Sequence, residues 1–141
     1  MGLDTEPRHA IVPLGTVDAS GPDERPVFVA NDACRILAVN LVDQAAKSGH
    51  ADNYGKYELI NKGANGAGTG VVASRYSDTP TTDNISAYVA WPLTLSSTAS
   101  RLNLDAGNVL SFKASEEGTA TSGDLTDALL VIEYAVGEGY E

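Results

Sequence analysis

Cysteine and basic residues are both scarce in this chain of 141 residues, and each shortage excludes a class of function. Cys34 is the single cysteine, so the chain can form no internal disulfide and no zinc site built from several thiolates. There are nine Lys and Arg against 19 Asp and Glu, which gives a formal net charge of −10. Such a surface repels phosphate backbones and anionic lipids, so we expect neither nucleic acid nor a membrane as a partner.

Side chains that carry catalysis are equally scarce. The two histidines, His9 and His50, lie far apart in segments that resemble loops, so they predict no metal-ligand cluster. His50 could join a nucleophilic triad, but serine and aspartate are so abundant that the match is uninformative. Cys34 begins a predicted strand and is expected to be a small buried hydrophobe. We therefore expect no enzyme, no catalytic residue, no metal and no cofactor; a jelly-roll hydrolase or isomerase has the least support.

Apolar residues recur with a period of two, in short runs closed by turn residues. In residues 109–115, Leu110, Phe112 and Ala114 alternate with polar neighbours, as expected of a strand with one buried face. The pattern predicts an all-β chain, a jelly-roll-like antiparallel β-sandwich of about seven or eight short strands. Strands are predicted at residues 34–43, 57–61, 70–76, 87–95, 100–104, 109–115 and 127–136.

Residues 1–32 differ from the rest because they hold four of the six prolines. Proline cannot donate to a sheet ladder, so we predict a poorly paired, extended N-terminal arm over 1–32 and a sandwich domain over 33–141. The apolar residues of this segment leave two interpretations open: irregular edge strands on the domain's own body, or an arm that lies on a partner. In the second, removing residues 1–20 should abolish attachment and leave the sandwich folded. The residues predicted to bind the partner are Arg8, Ile11, Val12, Leu14, Val17, Val27, Phe28 and Val29.

Two predicted strands, 34–43 and 127–136, are apolar on both faces. A sandwich strand with one face in water should be polar on that face, so both faces of these strands need cover. The N-terminal segment of the same chain could supply it. Other copies of the chain could also supply it, in a homo-oligomer about a closed axis. For that case the predicted oligomer interface is Leu37, Val39, Leu41, Leu129 and Val131.

The loops offer weaker signals. The glycine-rich run at 63–70 lacks the Gly-Lys-Ser/Thr ending of a phosphate loop and is predicted to close a hairpin. Asp78, Asp83 and Asn84 could supply oxygen ligands to Ca²⁺, but their spacing does not match an EF-hand, so a polar solvated loop is the favoured interpretation. A recognition surface could instead form from loops 47–56, 63–69, 77–86 and 115–126, with Tyr54, Tyr76 and Asp78 as candidates.

Three stretches from residue 53 onward resemble a known family: YELINKGANGAGTG, LNLDAGNVLSFKASEEGTATSGDL and ALLVIEYAV. They are similar to the β-sandwich domains of head decoration (cement) proteins and head fibres of tailed bacteriophages. The resemblance covers most of the body and leaves out residues 1–32. It implies a non-enzymatic homotrimer that binds the major capsid protein, sits on the virion surface and stabilises the capsid after assembly in the host cytoplasm. The alternative is a receptor- or carbohydrate-binding module of a phage fibre.

Overall fold

The computed structural model describes residues 6–118 and 121–137 of the chain. These residues form ten β-strands and one short 3₁₀ helix over Ala99–Leu102. In chain order the strands are β1 (Arg8–Val17), β2 (Asp23–Val29), β3 (Cys34–Val42), β4 (Tyr54–Asn61), β5 (Gly70–Tyr76), β6 (Trp91–Pro92), β7 (Thr94–Leu95), β8 (Asn103–Leu104), β9 (Val109–Glu117) and β10 (Leu125–Val136). No helix in this part of the chain is long and apolar enough to cross a membrane.

The strands form two antiparallel sheets of five strands each. Sheet 1 has the order β1-β10-β3-β6, with β8 also paired to β3, and sheet 2 has the order β2-β9-β4-β5-β7. The chain changes sheet at every connection between consecutive strands except the β4–β5 hairpin, which is a jelly-roll arrangement. The predicted all-β, jelly-roll-like sandwich is confirmed. The described residues hold more strands than the sequence predicted, because the N-terminal segment adds two and the predicted strand 87–95 is two short ones.

The core lies between the two sheets and is organised around Tyr57. Its ring stacks on Phe112 with centroids 6.3 Å apart and meets Trp91 edge to face at 5.7 Å. The Tyr57 hydroxyl donates a hydrogen bond of 3.0 Å to the carbonyl of Gly123, so the polar end of this buried ring is satisfied. Leu110, Phe112 and Ala114 are fully buried along β9, as the alternation of that strand predicts.

The N-terminal strands β1 and β2 are part of the sheets, which corrects the prediction of a poorly paired arm. Strand β1 pairs with β10 from Arg8, opposite Tyr134, to Val17, opposite Leu125. Strand β2 pairs with β9. Both strands lie at the edge of a sheet, where the missing N–H of a proline is tolerated, and each strand contains one proline. Residues 8–29 therefore lie on the domain's own body, the first of the two interpretations.

The segment 87–95 crosses from one sheet to the other. β6 pairs with β3 of sheet 1, and β7 pairs with β5 of sheet 2. Residues 87–90 are an exposed turn rather than the predicted strand, with Tyr88 at a φ of 61° and 72% exposed. The predicted strand at 100–104 is a 3₁₀ turn followed by the short β8.

Candidate functional site

The outer face of sheet 1 is apolar across three strands. Ile11 of β1 lies opposite Val131 of β10. One step along the sheet, Pro13 lies opposite Leu129, which in turn lies opposite Val42 of β3. These side chains alternate with buried ones, so they point away from the core. Ile11 is 64% exposed, and Val42, Leu129 and Val131 are half-buried. We call these five residues, together with Leu37 of β3, the outer apolar face: Ile11, Pro13, Leu37, Val42, Leu129 and Val131.

A bulge in β3 decides which of its residues point outward. Glu133 and Tyr134 are consecutive in β10, but they pair with Ala38 and Ile36. Leu37 is therefore the extra residue on β3, and the alternation of the strand reverses beyond it. A reversal of this kind moves each following side chain to the opposite face of the sheet.

The reversal places Val39 and Leu41 in the core, where both are fully buried. This corrects the prediction that they belong to an outward-facing oligomer interface. Leu37 stays half-exposed at the bulge. Leu129 and Val131 of β10 lie on the outer apolar face, and their role as an oligomer interface stays a prediction.

The N-terminal residues predicted to bind a partner separate into three groups. Leu14 and Val17 are 3% and 1% exposed within the core, so a partner could reach them only if the sandwich opened; the prediction is corrected for these two. Three others, Val12, Val27 and Phe28, are half-buried and pack against the core of their own chain. Those still exposed are Arg8, Ile11 and Val29, the last with 54% of its surface accessible.

The outer face of sheet 2 is polar, in contrast to that of sheet 1. Lys113 of β9 lies between Glu24 of β2 and Glu58 of β4, so a row of alternating charge crosses three strands. The hydroxyl of Ser111 donates a hydrogen bond of 2.6 Å to Glu24, and Lys62 Nζ lies 3.5 Å from the same carboxylate. The hydrogen bond from Ser111 is the main reason that the pKa of Glu24 lies below its usual value.

Tyr54 and Tyr76 form an aromatic pair on this polar face. Their ring centroids are 6.2 Å apart, and the ring planes are inclined by only 20°. Lys56, directly opposite Tyr76 in the hairpin of β4 and β5, places its Nζ 5.9 Å from the centroid of the Tyr76 ring. Lys56 also forms an ion pair with Glu117, and this pairing raises its pKa. The two tyrosines proposed from the sequence are therefore brought together, with a paired cation beside them.

The loop after β5 is held by Arg75. Its guanidinium lies 4.2 Å from the ring centroid of Trp91, and its Nε and Nη2 donate hydrogen bonds of 3.0 and 2.9 Å to Oδ1 of Asp83. The other Asp83 oxygen accepts from the backbone of Thr79, while Asn84 accepts from the backbone of Gly49. These oxygens are used by protein donors, which favours the polar-loop interpretation over a Ca²⁺ site.

The two histidines contact other residues of the chain, and Cys34 is enclosed by its neighbours. Nδ1 of His50 accepts hydrogen bonds of 3.0 Å from the backbones of Asp52 and Asn53. His9 Nε2 lies 3.9 Å from a Glu133 oxygen on the outer face of sheet 1. Cys34 is buried, and burial, with a smaller effect from Asp32, raises the pKa of its thiol to about 11. Across residues 6–118 and 121–137 there is no group of three or more His, Cys, Asp or Glu that could hold a metal ion.

Three residues of these two faces were not named individually from the sequence: Pro13, Val42 and Lys56. Pro13 and Val42 complete the outer apolar face, and Lys56 flanks the tyrosine pair together with Glu117 of the predicted recognition loop 115–126. The alternation Tyr-Gly-Lys-Tyr-Glu at 54–58 is a strand signal that would have placed Lys56 beside Tyr54. Pro13 and Val42 carry no such local signal, because their positions depend on the register of β1 and β3 against β10.

No family model and no curated protein matches this chain. Solved structures with similarity to it include that of infectious bursal disease virus Gx strain, at 14% identity and a TM-score of 0.40, over 98% of this chain and 35% of that one. The VP2 subviral particle of infectious bursal disease virus is 17% identical with a TM-score of 0.39, over 97% of this chain and 34% of that one. A CocE/NonD family hydrolase from Staphylococcus aureus is 10% identical with a TM-score of 0.42, over 97% and 32%. This chain spans about a third of the length of each.

Proposed function

We propose that this chain is a structural protein of a virion: a homotrimer that decorates the exterior of a bacteriophage capsid and stabilises it. In this proposal the chain is not an enzyme and uses no cofactor. It assembles on the capsid in the host cytoplasm and binds the major capsid protein. The single observation that carries the proposal is the outer apolar face of sheet 1.

The two outer faces of the sandwich differ in a way that solvation alone does not explain. An antiparallel sheet that faces water is expected to be polar on that side, and sheet 2 follows this rule with its row of Glu24, Lys113 and Glu58. Sheet 1 presents Ile11, Val131 and their neighbours instead. Burying a Val, Leu or Ile side chain fully contributes about 1.5–3 kcal/mol, and covering the parts of these side chains that are still accessible would contribute a share of this to association.

Other copies of the chain are the occupants we assign to most of this face. A chain with a net charge of −10 repels its own copies, so contact between copies is favoured through an uncharged surface. The row of Pro13, Leu129 and Val42 and the pair of Ile11 and Val131 provide one, with Asn40 beside Val131 and the His9 and Glu133 pair at the margin. Closed symmetry about a threefold axis would bury the face on every copy and leave no apolar surface to which further copies could add.

The capsid is assigned to the free edge of the sandwich, where Arg8 and Val29 remain exposed. Each of these contacts is small. A trimer presents three such edges to one scaffold, and the second and third contacts form at a high effective concentration. Weak individual contacts can therefore give stable attachment to the shell.

The oligomer test uses Val131→Glu, which places a charge in the centre of the outer apolar face. We expect the natural chain to sediment as a trimer at micromolar concentration and the variant to sediment as a monomer with an unchanged near-ultraviolet circular dichroism spectrum. Ser115→Glu is the matched control, because Ser115 lies half-exposed on β9 of sheet 2, and it should remain trimeric. A natural chain that sediments as a monomer would contradict the proposal.

The attachment test is co-sedimentation with purified phage capsids, read as copies bound per shell. Val29→Asp should reduce the number bound, because it places a charge on the free edge without altering the core. Ser97→Asp, at an exposed position in the segment that follows β7, is the control and should bind as the natural chain does. Equal binding by Val29→Asp would exclude this edge as the capsid contact.

A further inference from the structure

We propose that the outer face of sheet 2 holds a binding site for a neutral oligosaccharide, with the Tyr54 and Tyr76 pair as the stacking surface and the adjoining groove as the polar subsite. The site is independent of assembly through sheet 1, because it lies on the opposite side of the sandwich. It is a function in addition to capsid decoration, because it assigns a ligand to the outer face of sheet 2.

The aromatic pair is a fixed apolar feature of this polar face. The rings are 6.2 Å apart between centroids and nearly parallel, at 20°. They are fixed on adjacent strands, since Tyr54 belongs to β4 and Tyr76 ends β5. One face of a pyranose ring presents mainly C–H groups, which pack on aromatic rings as other apolar surfaces do. Rings held by a sheet lose little entropy when a sugar binds.

A shallow open groove of about 280 Å³ continues from Tyr76 and supplies polar groups. Its lining includes the side chains of Ser74, Asp78 and Thr94. Among the residues that the structure describes, the hydroxyls of Ser74 and Thr94 have no hydrogen-bond partner, so they are available to sugar hydroxyls. The tyrosine pair supplies the apolar part of the site and this groove supplies the polar part.

The charges around the pair select a neutral sugar. Lys56 is paired with Glu117, and Arg75 with Asp83, so the cations of this region already have anionic partners. Carboxylates of Glu58 and Asp78 act on the Tyr76 hydroxyl and, after burial, raise its pKa. The hydroxyl therefore stays protonated at neutral pH and can donate a hydrogen bond. A sugar carboxylate or sulfate would meet uncompensated repulsion here.

The experiment is a titration of the full chain, followed by ¹H–¹⁵N NMR, with maltohexaose, cellohexaose and chitohexaose as neutral probes and a hyaluronan hexasaccharide as the anionic one. We expect at least one neutral probe to bind with a Kd of about 1 mM or tighter and to shift the amide signals of residues 54–58 and 74–78. The hyaluronan probe should shift none of them. Absence of binding by every neutral probe, or binding of hyaluronan at these residues, would overturn the proposal.

Variants separate stacking from a general loss of structure. Tyr76→Ala and Tyr54→Ala should each weaken binding of the neutral probe about tenfold, whereas Tyr76→Phe, which keeps the ring, should retain most of it. Tyr88→Ala is the matched control, because Tyr88 is an exposed tyrosine in the turn that precedes β6, and it should bind normally. Equal losses in Tyr88→Ala and Tyr76→Ala would overturn the site. None of these results depends on whether the chain is a trimer or binds a capsid.

Discussion

Phe28 and Tyr134 meet edge to face across the two sheets, with ring centroids 5.0 Å apart and planes at 67°. Phe28 belongs to β2 of sheet 2 and Tyr134 to β10 of sheet 1. The contact closes the side of the sandwich where both N-terminal strands lie at a sheet edge. It shows that the N-terminal segment joins the sheets to each other as well as extending them.

Replacing Phe28 by alanine should lower the free energy of unfolding by about 2 kcal/mol, less than for a fully buried ring because Phe28 is half-buried. Chemical denaturation with urea measures this. Tyr134→Phe keeps the ring contact and should change stability little. If Phe28→Ala is as stable as the natural chain, the edge-to-face contact does not hold the sheets together.

Removing residues 1–20 should destabilise the whole sandwich, contrary to the expectation that the body folds without them. The deletion removes β1 and with it Leu14 and Val17, two core residues, and it exposes the backbone edge of β10. Each lost core side chain costs about 2–5 kcal/mol, so the two together approach the total stability of a small domain. Loss of dispersed NMR signals would bear this out, whereas a well-folded truncated chain would contradict it.

Acid should weaken the fold partly through Glu24. Its pKa is lower in the folded chain than its usual value of 4.5, chiefly because Ser111 donates to the carboxylate. The stabilisation is therefore present above pH 4.5 and is lost as the pH falls through the lower folded value. The side chain is about a third exposed, so the contribution is about 0.5 kcal/mol or less. Urea denaturation at neutral and acid pH should show a smaller pH dependence for Glu24→Gln than for the natural chain, and an identical dependence would contradict this role.

The thiol of Cys34 should resist alkylation in the folded chain. Burial raises its pKa to about 11, so little reactive thiolate is present at neutral pH, and the side chain is shielded from reagents. Iodoacetamide labelling followed by mass spectrometry should be slow for the folded chain and fast in urea. Rapid labelling without denaturant would show that the strand end at Cys34 opens readily.

Arg75→Lys should loosen the loop at 77–84 even though the charge is kept. Lysine has no planar group to stack on Trp91 and no rigid fork of N–H donors to hold Asp83 as the guanidinium does. We expect a loss of about 1–2 kcal/mol in the free energy of unfolding, and a changed emission spectrum of the single tryptophan. Lys113→Arg, on the outer face of sheet 2, is the control for a basic substitution and should change neither.

The local pattern of the sequence predicted which apolar side chains of β9 and β10 face the core. Leu110, Phe112 and Ala114 of β9 are buried as that pattern indicates, and Leu130 and Ile132 of β10 are buried while Leu129 and Val131 face outward. In these strands each residue's face depends only on its own position in the chain. That information is present in the sequence.

Where the fold differs from the sequence prediction, the cause is long-range pairing. The bulge at Leu37 arises from the register of β3 against β10, and it moved Val39 and Leu41 into the core. The prolines of β1 and β2 indicated poor pairing, but edge position makes them compatible with a sheet. Tyr54 and Tyr76 meet because the hairpin register places Lys56 opposite Tyr76. None of these relationships is visible in a single strand.

The hairpin loop between β4 and β5 offers a position for carrying a foreign peptide. Gly66 has a φ of 81° and open space where a Cβ would be, and the neighbouring Asn65 is exposed. At Gly68, by contrast, a Cβ would lie 2.4 Å from the carbonyl oxygen of Asn61, so that end of the loop must stay intact. A guest peptide inserted between Asn65 and Gly66 would thus project from the tip of the loop, outside both sheets, and leave the strand pairing of the hairpin unchanged.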